Sequence, residues 1–92
     1  MSRYTVEIKE QAQEDLKALS KSEPKAYHKA LALIAELYDH PQTGTGKPEQ
    51  LKGGGGTLWS RRITKKHRLI YEIIETVVHV DVLSAYGHYD DK

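Results

Sequence analysis

Three side chains in the second half of the sequence could together cleave a phosphodiester without a metal. Glu49 could take the proton from a ribose 2′-hydroxyl, His88 could protonate a departing 5′-oxygen, and Arg68 could hold the charge on phosphorus. Arginine grips phosphate oxygens with a planar fork of N–H groups, and histidine titrates near neutral pH. These residue types therefore predict metal-free acid–base cleavage of RNA.

Positive charge is concentrated around these residues. The whole chain of 92 residues has a net charge of only +1. Residues 47–68 nevertheless hold seven lysines and arginines, with Glu49 as the only acid, which gives this segment +6. A carboxylate surrounded by cations keeps the charge that a base needs. The segment is typical of a phosphate-binding surface, although a solvated basic hairpin would show the same pattern.

Each candidate also has a purely structural interpretation. Glu49 could simply pair with Lys47 or Lys52 at the surface. Arginines on strands often protect a sheet edge from aggregation, and this alternative applies to Arg61, Arg62 and Arg68. Of the other histidines, His28 and His40 are expected to face solvent, His67 lies at a turn, and His79 is expected to be packed or paired within a strand.

Composition limits the classes of protein to consider. The length suits one domain over residues 1–92, and 38% hydrophobic with 29% charged residues is typical of a globular chain. The absence of cysteine excludes thiolate metal sites and a cysteine nucleophile. No His/Asp/Glu spacing indicates a metal site, so we expect neither metal nor cofactor. Because no signal peptide or membrane span is evident, we expect a cytoplasmic location and no membrane partner.

The hydrophobic pattern predicts one strand, two helices and three further strands. Residues 4–9 alternate as a half-buried strand, and residues 10–20 show helical spacing. A second helix is expected to begin after Ser22 as N-cap and to end at Pro41, with an apolar stripe through Tyr27, Leu31, Ile34, Leu37 and Tyr38.

The second half of the chain predicts an antiparallel meander. Residues 40–56 contain two prolines and six glycines, so we expect no regular structure there. Runs rich in Ile and Val follow at 58–63, 69–74 and 77–83, joined by short connections. The resulting fold class is α+β, with two helices packed on one side of an antiparallel sheet.

Several sequence pieces closely resemble the YoeB/Txe toxins of the RelE superfamily. These pieces are GKPEQLK at 46–52, LWSRRIT at 58–64, HRLIY at 67–71 and the pair His88-Tyr89. They occur in the order and spacing of that family. The resemblance implies a microbial-RNase-like α+β fold and a toxin that cleaves mRNA on the ribosome and inhibits translation.

The resemblance also implies roles for individual residues. Glu49 matches the general base, Arg68 the residue that stabilises the transition state, and His88 the general acid, with Tyr89 assisting at the phosphate. The positions expected to bind RNA or shape the site are Lys47, Lys52, Arg61, Arg62, Lys65 and Lys66. The products implied are a 2′,3′-cyclic phosphate and a 5′-hydroxyl.

Partners follow from the same resemblance. An unrestrained nuclease of this kind would poison its own cell, so we expect a cognate YefM/Axe-like antitoxin with an acidic segment that covers the basic surface. The ribosome and mRNA are further expected partners, and a homodimer is possible in this branch. The alternative function is a non-catalytic ribosome- or antitoxin-binding module. A DNA-binding regulator is disfavoured because no helix has a basic face.

Three features depart from the family pattern. Asp90, Asp91 and Lys92 extend beyond the His-Tyr pair, Gly87 replaces a bulky aromatic residue, and residues 53–56 form a run of four glycines. Carboxylates that fold back onto the site would repel RNA. These features are expected to affect the rate more than the type of reaction.

Overall fold

A computed structural model describes residues 3–87 of the chain. The elements in chain order are β1 (Thr5–Ile8), α1 (Glu10–Ser22), α2 (Pro24–Leu37), β2 (Glu49–Gln50), β3 (Leu58–Arg62), β4 (Arg68–Ile74), a 3-10 turn (Glu75–Val77) and β5 (His79–Ser84). The prediction of an α+β fold with two helices and a mainly antiparallel sheet is confirmed.

The five strands form one sheet in the order β1-β5-β4-β3-β2. From β2 to β5, each strand pairs antiparallel with the next one along the chain. Strand β1 lies at the edge of the sheet and runs parallel to β5. The sheet is therefore mixed, because β1 pairs in parallel with the edge of β5 that faces away from β4. A register shift between Ile70 and Tyr71 interrupts the pairing of β4 with β5.

Strand β2 corrects one sequence prediction. We expected no regular structure over residues 40–56, yet Glu49 pairs with Ser60 and Gln50 with Trp59 on β3. Two residues are too few to show a period of two in the sequence, so the pattern could not indicate this strand. The pairing matters because it places the candidate base on the sheet itself.

Both helices pack on one face of the sheet. Their buried residues are Ala12, Asp15, Leu16 and Leu19 on α1, and Ala26, Ala30, Leu33, Ile34 and Leu37 on α2. The predicted stripe on α2 is wrong at Leu31 and Tyr38, which are exposed. Ser22 ends α1 rather than capping α2, whose first residue is Pro24. Neither helix within residues 3–87 is long and apolar enough to cross a membrane.

Arg61 is fully buried on the helix-facing side of β3. Its five N–H donors meet five acceptors: Tyr71 Oη at 3.1 Å, Glu36 Oε1 at 2.7 Å, and the carbonyls of Thr45, Thr43 and His40. Tyr71 in turn donates its hydroxyl to the carbonyl of Pro41 at 2.7 Å. The guanidinium thus fastens the segment after α2 to both the helix and the sheet.

This burial corrects the interpretation of Arg61 as an RNA-binding or exposed strand residue. Side chains alternate between the two faces along a strand, so neighbouring arginines on β3 point in opposite directions. Arg61 faces the helices and has no exposed surface, whereas Arg62 is exposed on the other face. The contacts of Arg61 are therefore with the segment after α2, which it holds in place.

Replacing Arg61 is expected to destabilise the fold strongly. Arg61→Ala removes the cation paired with Glu36 and leaves three carbonyls without their donors, which should lower the free energy of unfolding by about 3–5 kcal/mol. Arg61→Lys retains the charge but only three donors, and should fall between the alanine variant and wild type. The measurement is urea-induced unfolding at neutral pH.

The matched control is the exposed neighbour, Arg62→Ala, which should change stability by no more than about 0.5 kcal/mol. Equal unfolding midpoints for the two alanine variants would show that the buried network does not stabilise the protein.

Candidate active site

The side of the sheet opposite the helices is called here the outer face, and it holds Glu49, Ser60, Arg62, Arg68 and Ile70. The pairing register of β2, β3 and β4 determines which residues lie on this face. Glu49 pairs with Ser60, Ser60 pairs with Ile70, and Arg62 pairs with Arg68. Directly paired residues point to the same face, as do residues two apart on one strand. Two of the predicted catalytic residues, Glu49 and Arg68, therefore share one surface.

Sheet geometry gives the separation of these two residues. Glu49 on β2 is level with Ile70 on β4, with β3 between them, and Arg68 lies two residues along β4 from Ile70. Standard strand spacings then place the Cα atoms of Glu49 and Arg68 about 12 Å apart. Both side chains are long and start on the same face. The gap suits a ribose hydroxyl and a phosphate held between carboxylate and guanidinium.

Several cations at this end of the sheet are open to an anion. Within residues 3–87, no carboxylate lies within 4.0 Å of Arg62 or Arg68. Lys47, Lys52 and Lys65 are exposed and likewise have no such partner in this range. Lys66 differs because its Nζ lies 3.5 Å from a carboxylate oxygen of Glu23. The predicted RNA-binding residues other than Arg61 are thus all exposed.

The segment leading into β2 is shaped by a close backbone approach. The carbonyl of Gly46 accepts a hydrogen bond from the amide of Arg62 at 2.7 Å. Gly46 has φ +86, and a Cβ there would lie 3.0 Å from the carbonyl oxygen of Arg62. Only glycine suits that conformation and that space. The glycine of the GKPE piece therefore brings Glu49 into register with Ser60.

Glu36 holds the same segment from the helix side. Its carboxylate accepts hydrogen bonds from the amide of Thr45 at 2.9 Å and from Arg61 at 2.7 Å. Desolvation by burial pushes the pKa of Glu36 upward, but the hydrogen bonds from Thr45 and Arg61 outweigh it and hold that pKa below its ordinary value. The ionised carboxylate is thus part of the scaffold that positions Glu49.

His88 and Tyr89, the remaining predicted catalytic residues, lie outside the described residues. The carbonyl of Gly87, which directly precedes them in the sequence, accepts a hydrogen bond from the amide of Arg68 at 2.9 Å. The last described residue is therefore bonded to the first residue of β4. Gly87 has φ +78, a conformation that favours glycine over the aromatic residue expected from the family pattern.

Sequence comparison and structure comparison agree on what this molecule is similar to. A family model described as the YoeB-like toxin of bacterial type II toxin–antitoxin systems matches residues 8–89. The chain belongs to this family of toxins. Toxin YoeB from Streptomyces coelicolor is 38% identical over 76 residues, which span 83% of this chain and 88% of that relative.

Solved structures support the same assignment. The YoeB dimer from Staphylococcus aureus superposes with a TM-score of 0.80 at 31% identity, covering 96% of this chain and 100% of that one. The heterotetrameric YoeB–YefM toxin–antitoxin complex from the same species gives a TM-score of 0.75 at 31% identity and the same coverage. The resemblance of the GKPE, WSRRIT and HRL pieces to this family is thereby confirmed.

One cavity among the described residues does not coincide with these side chains. A cavity of about 370 Å³ is lined by residues that include Gln42, Trp59, Glu72 and Glu75. Glu75 accepts hydrogen bonds from Tyr4 and Gln42, and Glu72 accepts one from Thr57. Two carboxylates in the lining would repel an anion, so the exposed basic end of the outer face suits a phosphate better than this cavity does.

One cluster of potential metal ligands occurs within residues 3–87 and was not evident from sequence spacing. Ligand atoms of Glu7, His79 and Asp81 lie within 4.8 Å of one another. His79 contacts Asp81 Oδ1 at 2.8 Å through Nε2 and Thr5 Oγ1 at 2.6 Å through Nδ1. The contact with Thr5 joins β1 to β5, and the two contacts together confirm that His79 is a paired histidine.

Sequence reasoning missed three residues of the site region. Ser60 is 1% exposed beside Glu49, and its hydroxyl has no hydrogen-bond partner among the described residues. His67 and Asp15 are buried and bind the backbone of the C-terminal segment. For His67, the sequence signal was its place directly before Arg68 in the HRL piece. For Asp15, no sequence pattern indicated a role at the site.

The scaffold role of Glu36 predicts a specific pH dependence. Because its pKa is lowered on folding, its stabilising effect should be complete above its ordinary value of 4.5 and should be lost as pH falls through the lower folded value. Glu36→Gln should cost about 1.5–3 kcal/mol at neutral pH, and less on acidification. Urea unfolding at several pH values below 7 measures the difference.

The control is Glu14→Gln, an exposed carboxylate on α1. Its difference from wild type should stay small at every pH. A Glu36→Gln deficit that does not shrink in acid would contradict the role of the ionised carboxylate.

Proposed function

We propose that this toxin is a ribosome-dependent endoribonuclease that cleaves mRNA by metal-free acid–base chemistry and so inhibits translation. The observation that carries the proposal is the shared outer face of Glu49 and Arg68. The proposed base on β2 and the proposed phosphate-binding cation on β4 flank β3 on one face of the sheet, among exposed cations that the described carboxylates leave open.

The reaction needs two proton transfers and one displacement. Glu49 takes the proton from the 2′-hydroxyl, and the 2′-oxygen attacks phosphorus. Arg68 and Arg62 hold the non-bridging oxygens as negative charge develops. The bond to the 5′-oxygen breaks, and that oxygen receives a proton from His88 while Tyr89 contacts the phosphate. The products are a 2′,3′-cyclic phosphate and a 5′-hydroxyl.

The exposed cations would track the RNA backbone on either side of the cleaved bond. Lys47 and Lys52 flank β2, while Lys65 and Lys66 lie in the turn between β3 and β4. Phosphate contacts of this kind position a strand without reading its bases. Selection of the mRNA site would then depend on the ribosome, which presents the message.

The exposed cations of the outer face also indicate which partners the toxin would bind. The Staphylococcus aureus relative forms a complex with YefM, and a YefM/Axe-like antitoxin with an acidic segment would neutralise the cations of the outer face. A dimer, as in the Staphylococcus aureus YoeB structure, is a further proposed assembly. Action on translating ribosomes places the toxin in the cytoplasm.

Substitution of the proposed base or the proposed cation should slow cleavage strongly while ribosome binding persists. Glu49→Gln removes the proton acceptor at nearly constant shape and should lower the cleavage rate on translating ribosomes about 10²–10⁴-fold. Arg68→Ala should lower it about 10²–10³-fold. Primer extension on reporter mRNA measures cleavage, and co-sedimentation with ribosomes measures binding.

Lys29→Ala is the matched control, because Lys29 is an exposed cation on α2, away from the outer face. It should cleave like wild type. If wild type binds ribosomes and cuts nothing, the toxin is a binding module without catalysis. If Glu49→Gln cleaves at the wild-type rate, Glu49 is not the base.

A further inference from the structure

The segment that follows β5 is held by two buried side chains from distant parts of the chain. The amide of Ala85 donates to Asp15 Oδ2 at 2.9 Å, and the amide of Gly87 donates to His67 Nδ1 at 2.8 Å. A third bond joins the amide of Arg68 to the carbonyl of Gly87 at 2.9 Å. Residues 85–87 therefore have a defined path along the start of β4.

His67 is 3% exposed, and both of its ring nitrogens are in use. An amide N–H can only donate, so Nδ1 must be unprotonated to accept from Gly87. The ring proton then resides on Nε2 and is donated to Glu23 Oε2 at 2.7 Å. Glu23 thereby fixes the tautomer, as carboxylates commonly do for functional histidines.

The backbone of His67 is equally constrained. Its carbonyl accepts hydrogen bonds from the amides of Ile63 and Thr64, at 3.0 and 3.1 Å, which closes the turn between β3 and β4. The ring of Tyr86 lies against the imidazole with the ring centroids 4.6 Å apart. The imidazole therefore cannot move away without disturbing the turn that precedes Arg68.

We infer that His67 is a positioning residue for the cleavage reaction: its neutral imidazole ties Gly87 to the start of β4, directly beside Arg68. The inference rests on the proposed function, in which the general acid directly follows Gly87. Arg68 points to the outer face, whereas His67 points to the helices. In the proposed function Arg68 would bind the substrate on one side of the sheet, while His67 holds Gly87 on the other side.

The competing interpretation is a structural ion pair between a charged His67 and Glu23. The hydrogen bond from His67 lowers the pKa of Glu23, so the carboxylate is ionised at neutral pH. A charged imidazole would carry a second proton on Nδ1, facing the amide proton of Gly87 across 2.8 Å. That arrangement removes the bond to Gly87, so the geometry favours the neutral ring.

Two substitutions separate these interpretations because each retains one of the two ring contacts. In His67→Asn the amide oxygen can occupy the place of Nδ1 and accept from Gly87, with nothing left to reach Glu23. In His67→Gln the longer amide can reach Glu23 but offers Gly87 no acceptor in the same place. Exposed His28→Gln on α2 is the control.

The positioning role predicts opposite results for the two variants. His67→Gln should lower the turnover of cleavage about tenfold with KM unchanged, corresponding to one lost hydrogen bond. His67→Asn should stay within about threefold of wild type. A structural ion pair with Glu23 predicts the reverse order, and that order, or equal turnover in both variants, would overturn the inference.

A second readout keeps the test independent of catalysis. Nitrogen-15 NMR of wild type should show His67 as the Nε2–H tautomer, and hydrogen exchange at the Gly87 amide should be slow in wild type and His67→Asn but fast in His67→Gln. A toxin that cleaves nothing would contradict the proposed function, and these data would still decide the His67–Gly87 link. An Nδ1–H tautomer or equal exchange in both variants would refute it.

Discussion

The buried guanidinium of Arg61 is the interaction on which the rest of the site depends. An arginine can be buried only when its charge is paired and its donors are filled, and here all five donors find acceptors. Four of those acceptors lie on α2 or on the segment directly after it. That segment must therefore fold back onto β3, which sets the register of β2 and the place of Glu49.

The alternation of side chains along β3 then divides its arginines between two roles. Arg61 faces the helices and stabilises the loop, while Arg62 faces outward beside Arg68. The same alternation on β4 leaves Leu69 in the core and Arg68 on the outer face. A one-residue slip would exchange these roles, burying the cations of the outer face and exposing the core. Fold stability and site geometry therefore depend on the same register.

Much of the architecture could be predicted because its signals are local. Helical spacing indicated α1 and α2, and short runs rich in Ile and Val indicated the meander of β3, β4 and β5. What could not be predicted depends on pairing between distant segments. Strand β2 has two residues, and the burial of Arg61 follows from a register that the sequence does not display. The links from His67 to Gly87 and from Asp15 to Ala85 span 20 and 70 residues.

In the proposed function, the outer face of the sheet holds the cleaved phosphate between Glu49 and Arg68. The most direct measurement is a cryo-electron microscopy structure of the Glu49→Gln variant on a ribosome, with mRNA carrying a 2′-O-methyl group at the cleavage site. We expect the phosphate oxygens against Arg68 and the blocked 2′-oxygen beside residue 49. Density for the message over the helices, or beside the acidic cavity at Glu72 and Glu75, would contradict the account.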